Sequence, residues 1–243
     1  MAALTPAELV AVWEAGHKLP DCEKALVALA PALPGTDPHH LRALSIGARN
    51  AHLLALRRDT FGPVMRAFVK CPACSEPLEF EQDIAELLAG YRAPAAREFT
   101  LHIDGHELSC RMPDSSDLAA ASQLFFQEEV AEALFERSVL DVRLHGEALP
   151  LTALPHDLRL QVQAEIAGRD PLSQIAIPLG CAACRHVWHA GLEIVAFFWT
   201  EIERMARAVL DDVVQLARGY GWREDDILAM SPQRRQFYLE AMA

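Results

Sequence analysis

The stretches FVKCPACSEPLEFE, residues 68–81, and AIPLGCAACRHVWHA, residues 176–190, decide how this 243-residue chain folds. In each stretch a C-x-x-C motif separates two short segments that are patterned as β-strands. An offset of 110 residues places both cysteines of the first stretch on those of the second, and it also aligns Ile84 with Ile194 downstream. Identity is low beyond the cysteines, so we interpret the repeat as a structural similarity without inferring duplication.

The two motifs, here called the cysteine turns (residues 71–74 and 181–184), have the composition of a metal site. A C-x-x-C turn between strands lets two thiolates face one ion, and two such turns complete a tetrahedral shell suited to zinc. We therefore predict one structural Zn²⁺ site with the ligands Cys71, Cys74, Cys181 and Cys184. Residues 75 to 180, 106 in all, separate the pairs, whereas a compact zinc ribbon has roughly 15–20 there, which predicts an inserted region.

Other roles for these cysteines are a redox-active pair and simple burial. A redox C-x-x-C motif normally begins a helix that lowers the pKa of the thiol, whereas Ser75-Glu76-Pro77 and a strand follow the first turn. Glycine often follows the second cysteine of a metal-binding turn. Ser75 and Arg185 stand at those positions here, so the turn geometry stays open at this point.

Histidines and cysteines outside the two motifs are also potential ligands. His186 and His189 flank the second cysteine turn and are alternative metal ligands, although surface positions fit them better. Cys22 and Cys110 are isolated in the sequence, so we expect them to be ordinary core or surface residues.

The rest of the chain predicts an α+β fold that is predominantly helical, with the zinc-ribbon-like cysteine turns on short β-hairpins. Ser45 begins a helix on which Arg49, Arg57 and Arg58 are expected to face outward. The predicted regions are an N-terminal helical region (1–67), the two-part β region (68–92 and 173–192), an inserted hairpin and helical region (93–172), and a C-terminal long helix with a helical tail (193–243).

Two segments of the inserted and C-terminal regions carry clear patterns. Asp104-Gly105 joins two strand-like segments, 98–104 and 107–112, and is a strong hairpin signal. A helix is predicted over Glu128–Arg143, followed by another over His156–Gly168. One apolar face steps by three or four residues along a single long helix: Ile194, Phe198, Ile202, Met205, Val209, Val213, Leu216 and Tyr220.

Charge and motif content exclude several function classes. The formal net charge is −12, which disfavours a nucleic-acid or anionic-membrane partner because such proteins present basic surfaces. The N-terminus has no signal-peptide pattern, so we expect a cytoplasmic protein, in which disulfides are rare. A shell of four thiolates leaves no open position for catalysis, and phosphate-binding and nucleophile motifs are absent from the sequence, so we predict no enzyme activity and no small-molecule ligand.

The segment LSIGARNAHLLALRRDTFGPVMRAFVKCPACSEPLEFE, residues 44–81, and the C-terminal segment from His186 to Met242 resemble the family of T4-type phage baseplate proteins. The most specific pieces are the two cysteine turns and the ending Tyr220-Gly221-Trp222 through Ser231-Pro232 to Tyr238-Leu239. This family occurs with contractile phage tails and phage-tail-like injection systems.

The resemblance implies a non-enzymatic structural subunit or assembly factor that contacts baseplate hub or wedge proteins, either staying in the assembled particle or leaving it. Two alternatives are a zinc-ribbon adaptor that binds nucleic acid or another regulator, and a thiol- or metal-dependent enzyme. The consecutive aromatics Phe197, Phe198 and Trp199 are either buried by this chain or available to a partner.

Overall fold

A computed structural model describes residues 1–122, 124 and 126–242. The chain is a mixed helix and strand protein with 52% helix and 19% strand, so its mainly helical character is confirmed. In the described residues no helix combines the length and apolarity that crossing a bilayer requires.

The N-terminal region is helical, as predicted. Thr5 accepts a hydrogen bond from the backbone N–H of Glu8, whose carboxylate accepts one from the N–H of Thr5, and this capping box starts the first helix. Ser45 caps the fourth helix in the predicted place. A short helix begins after Asp37, where the surrounding prolines predict a break in the helical structure. The helices are α1 (Pro6–Gly16), α2 (Asp21–Leu29), α3 (Pro38–Arg42) and α4 (Ile46–Phe61).

The first cysteine turn joins two antiparallel strands that pair from Val64–Asp83 to Lys70–Pro77. The first of these strands begins at Val64, ahead of the predicted boundary at residue 68. Asp83 ends the hairpin and caps a short helix, since its carboxylate accepts from the N–H of Ala85. The elements are β1 (Val64–Lys70), β2 (Pro77–Asp83) and α5 (Ile84–Leu88).

The inserted region contains a four-stranded antiparallel sheet in which the strands lie side by side in chain order. The Asp104-Gly105 turn is confirmed, and both residues have the positive φ (48° and 78°) of a tight hairpin turn. The elements are β3 (Glu98–Ile103), β4 (His106–Arg111), α6 (Ser115–Ala121), α7 (Gln127–Ser138), β5 (Val139–Leu144), β6 (Glu147–Ala148) and α8 (His156–Arg169).

The predicted helix over Glu128–Arg143 is wrong in its last part. The helix α7 ends at Ser138, and residues from Val139 form strand β5. Val139 and Val142 are buried and pair with Cys110 and Leu108 of β4. Tertiary pairing therefore overrides a helical pattern that continues through the boundary.

The second cysteine turn also joins two strands, and the chain then continues into the long helix, which spans the predicted Ile194–Tyr220. Phe198 and Trp199 are buried by this chain, and Phe197 is half-buried. The remaining elements are β7 (Ala176–Gly180), β8 (Val187–Gly191), α9 (Ile194–Tyr220), α10 (Glu224–Leu228) and α11 (Pro232–Glu240).

The main core lies between α9 and the N-terminal helices α1, α2 and α4. Gly16 of α1 lets this packing close, since a Cβ there would lie 2.3 Å from the ring of Trp199. A second core fills the space between the inserted sheet and α8, around Leu108, Phe135 and Val162. The second cysteine turn is attached to the main core, because the strand that follows it, β8, leads directly into α9.

The expected outward orientation of the α4 arginines is wrong for two of them. Arg49 and Arg57 are 4% and 3% exposed, whereas Arg58 is half-exposed. The helix α4 is covered on several sides, by α2, α5, α9 and the segment Pro171–Ser173. Both guanidinium groups donate hydrogen bonds inside the fold, Arg57 to the carboxylate of Glu201 and Arg49 to neutral acceptors.

Candidate metal centre

The four predicted ligands lie close together in the fold, although the inserted region separates the two pairs in the sequence. The sulfur atoms of Cys71, Cys74, Cys181 and Cys184 all lie within 4.8 Å of one another. The Sγ–Sγ distance is 3.7 Å between Cys71 and Cys184, and also 3.7 Å between Cys74 and Cys181. A tetrahedral ion with metal–sulfur bonds of about 2.3 Å requires its sulfurs about 3.8 Å apart. The donor set and its size therefore fit one metal ion.

The two cysteine turns have the same backbone hydrogen bonds. In the first turn, the N–H of Cys71 donates to Glu76 O at 2.9 Å, and the N–H of Ser75 donates to Cys71 O at 2.8 Å. In the second, the N–H of Cys181 donates to His186 O at 2.9 Å, and the N–H of Arg185 donates to Cys181 O at 2.8 Å. The offset of 110 residues relates every member of this set.

The residue after the second cysteine of each turn has a left-handed backbone conformation although it is not glycine. Ser75 and Arg185 have φ values of 63° and 60°, the left-handed conformation that glycine adopts most easily. Each turn holds a non-glycine residue in this conformation at a modest local cost. The closing hydrogen bonds from their N–H groups, together with the flanking strands, offset that cost.

Burial divides the ligands into an inner and an outer pair. Cys71 and Cys181, the first cysteine of each turn, are 1% and 3% exposed, whereas Cys74 and Cys184 are exposed. An ion held by the cluster would thus lie near the surface, with one face toward the protein.

The surroundings of the four thiols favour ionisation at one position and oppose the ionisation of several thiols together. Burial opposes ionisation of Cys71, but N–H groups of Ala73 and Cys74 and the neighbouring thiols lower its pKa to about 7. At Cys74, the N–H of Glu76 favours the thiolate, but the thiols of Cys184, Cys181 and Cys71 outweigh it and raise the pKa to about 12. Four thiolates at this spacing need a cation to hold them together.

The alternative ligands do not join the cluster. In the described part of the chain the four cysteines form the group that could hold an ion, and neither His186 nor His189 belongs to it. Both histidines are exposed, and the His186 ring stacks on Trp188 at 5.8 Å. Cys22 and Cys110 are buried elsewhere, as predicted. Each cysteine turn continues into a strand, so neither has the helix start on which the redox interpretation depends.

An ion pair that the sequence did not predict connects α4 to α9, and the same arginine also binds the start of the first hairpin. Arg57 donates from Nε and Nη2 to the Glu201 carboxylate at 2.9 and 2.6 Å. Its Nη1 donates to Gly62 O at 2.8 Å and to Val64 O at 2.9 Å, where β1 begins. Arg57 is one of three arginines on α4, so the sequence does not distinguish it as a buried ion-pair partner. This contact orients one hairpin relative to the helix that follows the other hairpin.

The comparisons with protein-family models, with curated proteins and with solved structures each find no match for this chain.

Proposed function

We propose that the cysteine cluster holds one structural Zn²⁺ and that the protein acts through contacts with other proteins, as a subunit or assembly factor of a contractile-tail baseplate. The observation that carries the metal assignment is the approach of four sulfurs from two distant turns to the spacing of a tetrahedral ion. Soft thiolate ligands in this geometry select zinc or iron over the hard cations.

The closed ligand set supports a structural role for the ion. A catalytic zinc keeps a position open for water or substrate, whereas four cysteines fill a tetrahedral shell. Zinc bound in this way contributes folding free energy, on the order of 10 kcal/mol in small metallopeptides. Here it would join the hairpin β1–β2 to the hairpin β7–β8, which are hydrogen-bonded as separate sheets.

The surface of the hairpins supports a protein partner. Phe68 on β1 and Val187 on β8 are 77% and 70% exposed, and large apolar side chains left in water are typical of contact surfaces. The neighbouring charges disfavour nucleic acid, because Arg66 is paired with Glu81 at 2.8 Å and the exposed Glu76 and Glu79 are close in sequence.

The baseplate assignment is supported by the resemblance of residues 44–81 and 186–242 described above, and the hub or wedge proteins are the proposed partners. The test is affinity capture from cells that produce the complete set of tail proteins. We expect a hub or wedge protein to be retained by the wild type and lost with the Phe68→Ser/Val187→Ser double variant. The matched control is Phe237→Ser, which removes a similarly exposed aromatic on α11. Failure to retain any baseplate protein would contradict the proposed partner.

The metal assignment has a separate test, which does not depend on the partner. Elemental analysis of the purified protein should give one zinc per chain. Titration of accessible thiols should show four additional reactive cysteines after chelation. Iron in place of zinc, or four reactive thiols before chelation, would contradict the assignment.

A further inference from the structure

A cleft of about 330 Å³ lies between α4, α7, α8 and the start of α9, away from the cysteine cluster. Sites for small molecules typically measure about 300–1,000 Å³, so this cleft, here called the Arg49 cleft, has the size of a small one. Its floor includes the buried residues Arg49, Phe135 and Ile194, and its mouth includes the exposed Gln174 and Glu193.

The guanidinium of Arg49 has only neutral hydrogen-bond partners. Its Nε and Nη2 donate to Asn50 Oδ1 at 3.3 and 3.0 Å, and its Nη1 donates to Ser115 Oγ at 3.4 Å. The Asn50 amide is oriented for this role, because its Nδ2 donates to Leu172 O at 2.9 Å. In the described part of the chain no carboxylate forms an ion pair with Arg49.

The other two buried arginines show what is missing at Arg49. Arg57 is paired with Glu201, and Arg235 is paired with Asp212 at 3.3 Å. Arg49 is equally buried but has no such anion. Burial lowers the pKa of Arg49, and the charge of the exposed Glu193 at the mouth of the cleft opposes this shift without reversing it. A buried guanidinium without an ion-pair partner destabilises the fold, so binding of an external anion is favoured here.

The walls of the cleft restrict the kind of anion. Leu134, Phe135, Ile166 and Ile194 give most of the lining an apolar surface. Among the described residues that line the cleft, the acidic one is Glu193 at the mouth, and its charge disfavours entry of a multiply charged anion such as phosphate. A single carboxylate attached to a compact apolar group fits both the cation on the floor and the apolar walls.

We propose that the Arg49 cleft binds such an apolar carboxylate, with the guanidinium pairing with the carboxylate and the apolar group lying between α7 and the start of α9. The ligand is either a free small acid or the carboxyl-terminal residue of another chain, which share this chemistry. The site is independent of the metal centre and goes beyond the proposed function.

The experiment is calorimetric titration of the full-length protein with hexanoate and with N-acetylleucine, which represent the two sources. We expect saturable binding of at least one of them. Acetate and inorganic phosphate should bind more weakly, because they lack the apolar group, and 1-hexanol should bind more weakly because it lacks the charge. The tighter of the two acids identifies the source.

Three variants give the proposal a residue-level test. Arg49→Met should weaken binding of the acid by about tenfold or more, the value of a charge-assisted hydrogen bond. Ala131→Trp, at the exposed mouth, should block binding while leaving Arg49 in place. Glu193→Gln should strengthen binding, since it removes the competing negative charge.

Thermal melts of the same variants make the result decisive. Arg49→Met should be at least as stable as the wild type without ligand, because it removes an uncompensated buried charge. The proposal is overturned if neither acid binds, if Arg49→Met binds as tightly as the wild type, or if acetate and phosphate bind as tightly as hexanoate. It is also overturned if Glu193→Gln lowers the melting temperature without strengthening binding, which would make Glu193 the partner of Arg49.

Discussion

At the scale of single residues, the site consists of four cysteine sulfurs that two turns bring within 4.8 Å of one another. Two C-x-x-C motifs in strand contexts were sufficient to predict which four sulfurs meet, because that pattern constrains both the turn and the ligand direction. The left-handed backbone of Ser75 and Arg185 could not be predicted, since neither residue favours it intrinsically. The closing hydrogen bonds of the turns select that conformation.

The first prediction concerns one ligand. Cys184→Ser should reduce bound zinc to well below one per chain, because a serine hydroxyl does not replace a thiolate on this ion. Elemental analysis with a competing chelator measures the change. The matched control is Cys22→Ser, at a buried cysteine outside the cluster, which should keep its metal. Equal zinc content in both variants would show that Cys184 is not a ligand.

The second prediction concerns a glycine that makes a close contact. The N–H of Gly47 donates to Asp170 Oδ2 at 2.7 Å, and a Cβ at Gly47 would lie 2.1 Å from Asp170 Oδ1. Gly47→Ala should therefore displace this buried carboxylate and lower the free energy of unfolding by about 2 kcal/mol. Urea unfolding measures the change.

The control for that substitution is Gly168→Ala in α8, where an added Cβ meets nothing within 4 Å. This change should be neutral or stabilising by up to about 1 kcal/mol, because alanine is the better helix former. If the two variants lost the same stability, the contact with Asp170 would not be the cause.

At the scale of elements, periodicity predicted the long helix well and the inserted region less well. Helix α9 follows a continuous apolar face, and it spans the predicted residues. Strand β5 was missed because Val139 and Val142 extend the apolar pattern of α7 and are selected as strand only by pairing with β4. The burial of Arg49 and Arg57 was missed for a similar reason, since Ser115, Glu201 and most elements that cover α4 lie far away in sequence.

The third prediction tests the contact between α4 and α9. Glu201→Gln leaves the charge of Arg57 buried without its anion, so it should lower the free energy of unfolding by about 3 kcal/mol. Glu81→Gln is the matched control, because it breaks the exposed pair with Arg66 and should cost less than about 1 kcal/mol. Chemical denaturation compares the two. An equally small loss in both would contradict a role for this pair in positioning the first hairpin.

The fourth prediction concerns acid stability of the inserted region. Burial opposes ionisation of Asp117, but Arg111, the N–H of Asp114 and Arg137 outweigh it and lower the pKa to about 2. Because its pKa is lower in the folded state, this carboxylate stabilises the fold at pH values above its unfolded-state pKa of about 4. It loses that contribution as the pH falls toward 2.

Urea midpoints measured between pH 7 and pH 2 test this contribution. The wild type should lose stability steeply from about pH 4 to pH 2, whereas Asp117→Asn should be less stable at pH 7 and lose less over the same interval. Asp141→Asn, at the partly exposed pair with Arg143, is the control and should follow the wild type. Parallel curves for wild type and Asp117→Asn would exclude Asp117 as the source of the acid sensitivity.

At the scale of the whole molecule, the cysteine cluster joins segments that the chain separates by the entire inserted region. The hairpin β1–β2 follows the N-terminal helices and the hairpin β7–β8 precedes α9, so an ion between them ties both ends of the main core together. The apolar side chains between α1, α2, α4 and α9 are buried against one another, and this burial does not require the ion. We therefore expect chelation to loosen the hairpins while most of the helical structure persists.

X-ray absorption at the zinc edge of the purified protein tests the four-sulfur site most directly. We predict one zinc per chain with four sulfur neighbours at about 2.3 Å and no nitrogen or oxygen neighbour. A shell that includes nitrogen or oxygen, or fewer than four sulfurs, would contradict a closed structural site formed by Cys71, Cys74, Cys181 and Cys184.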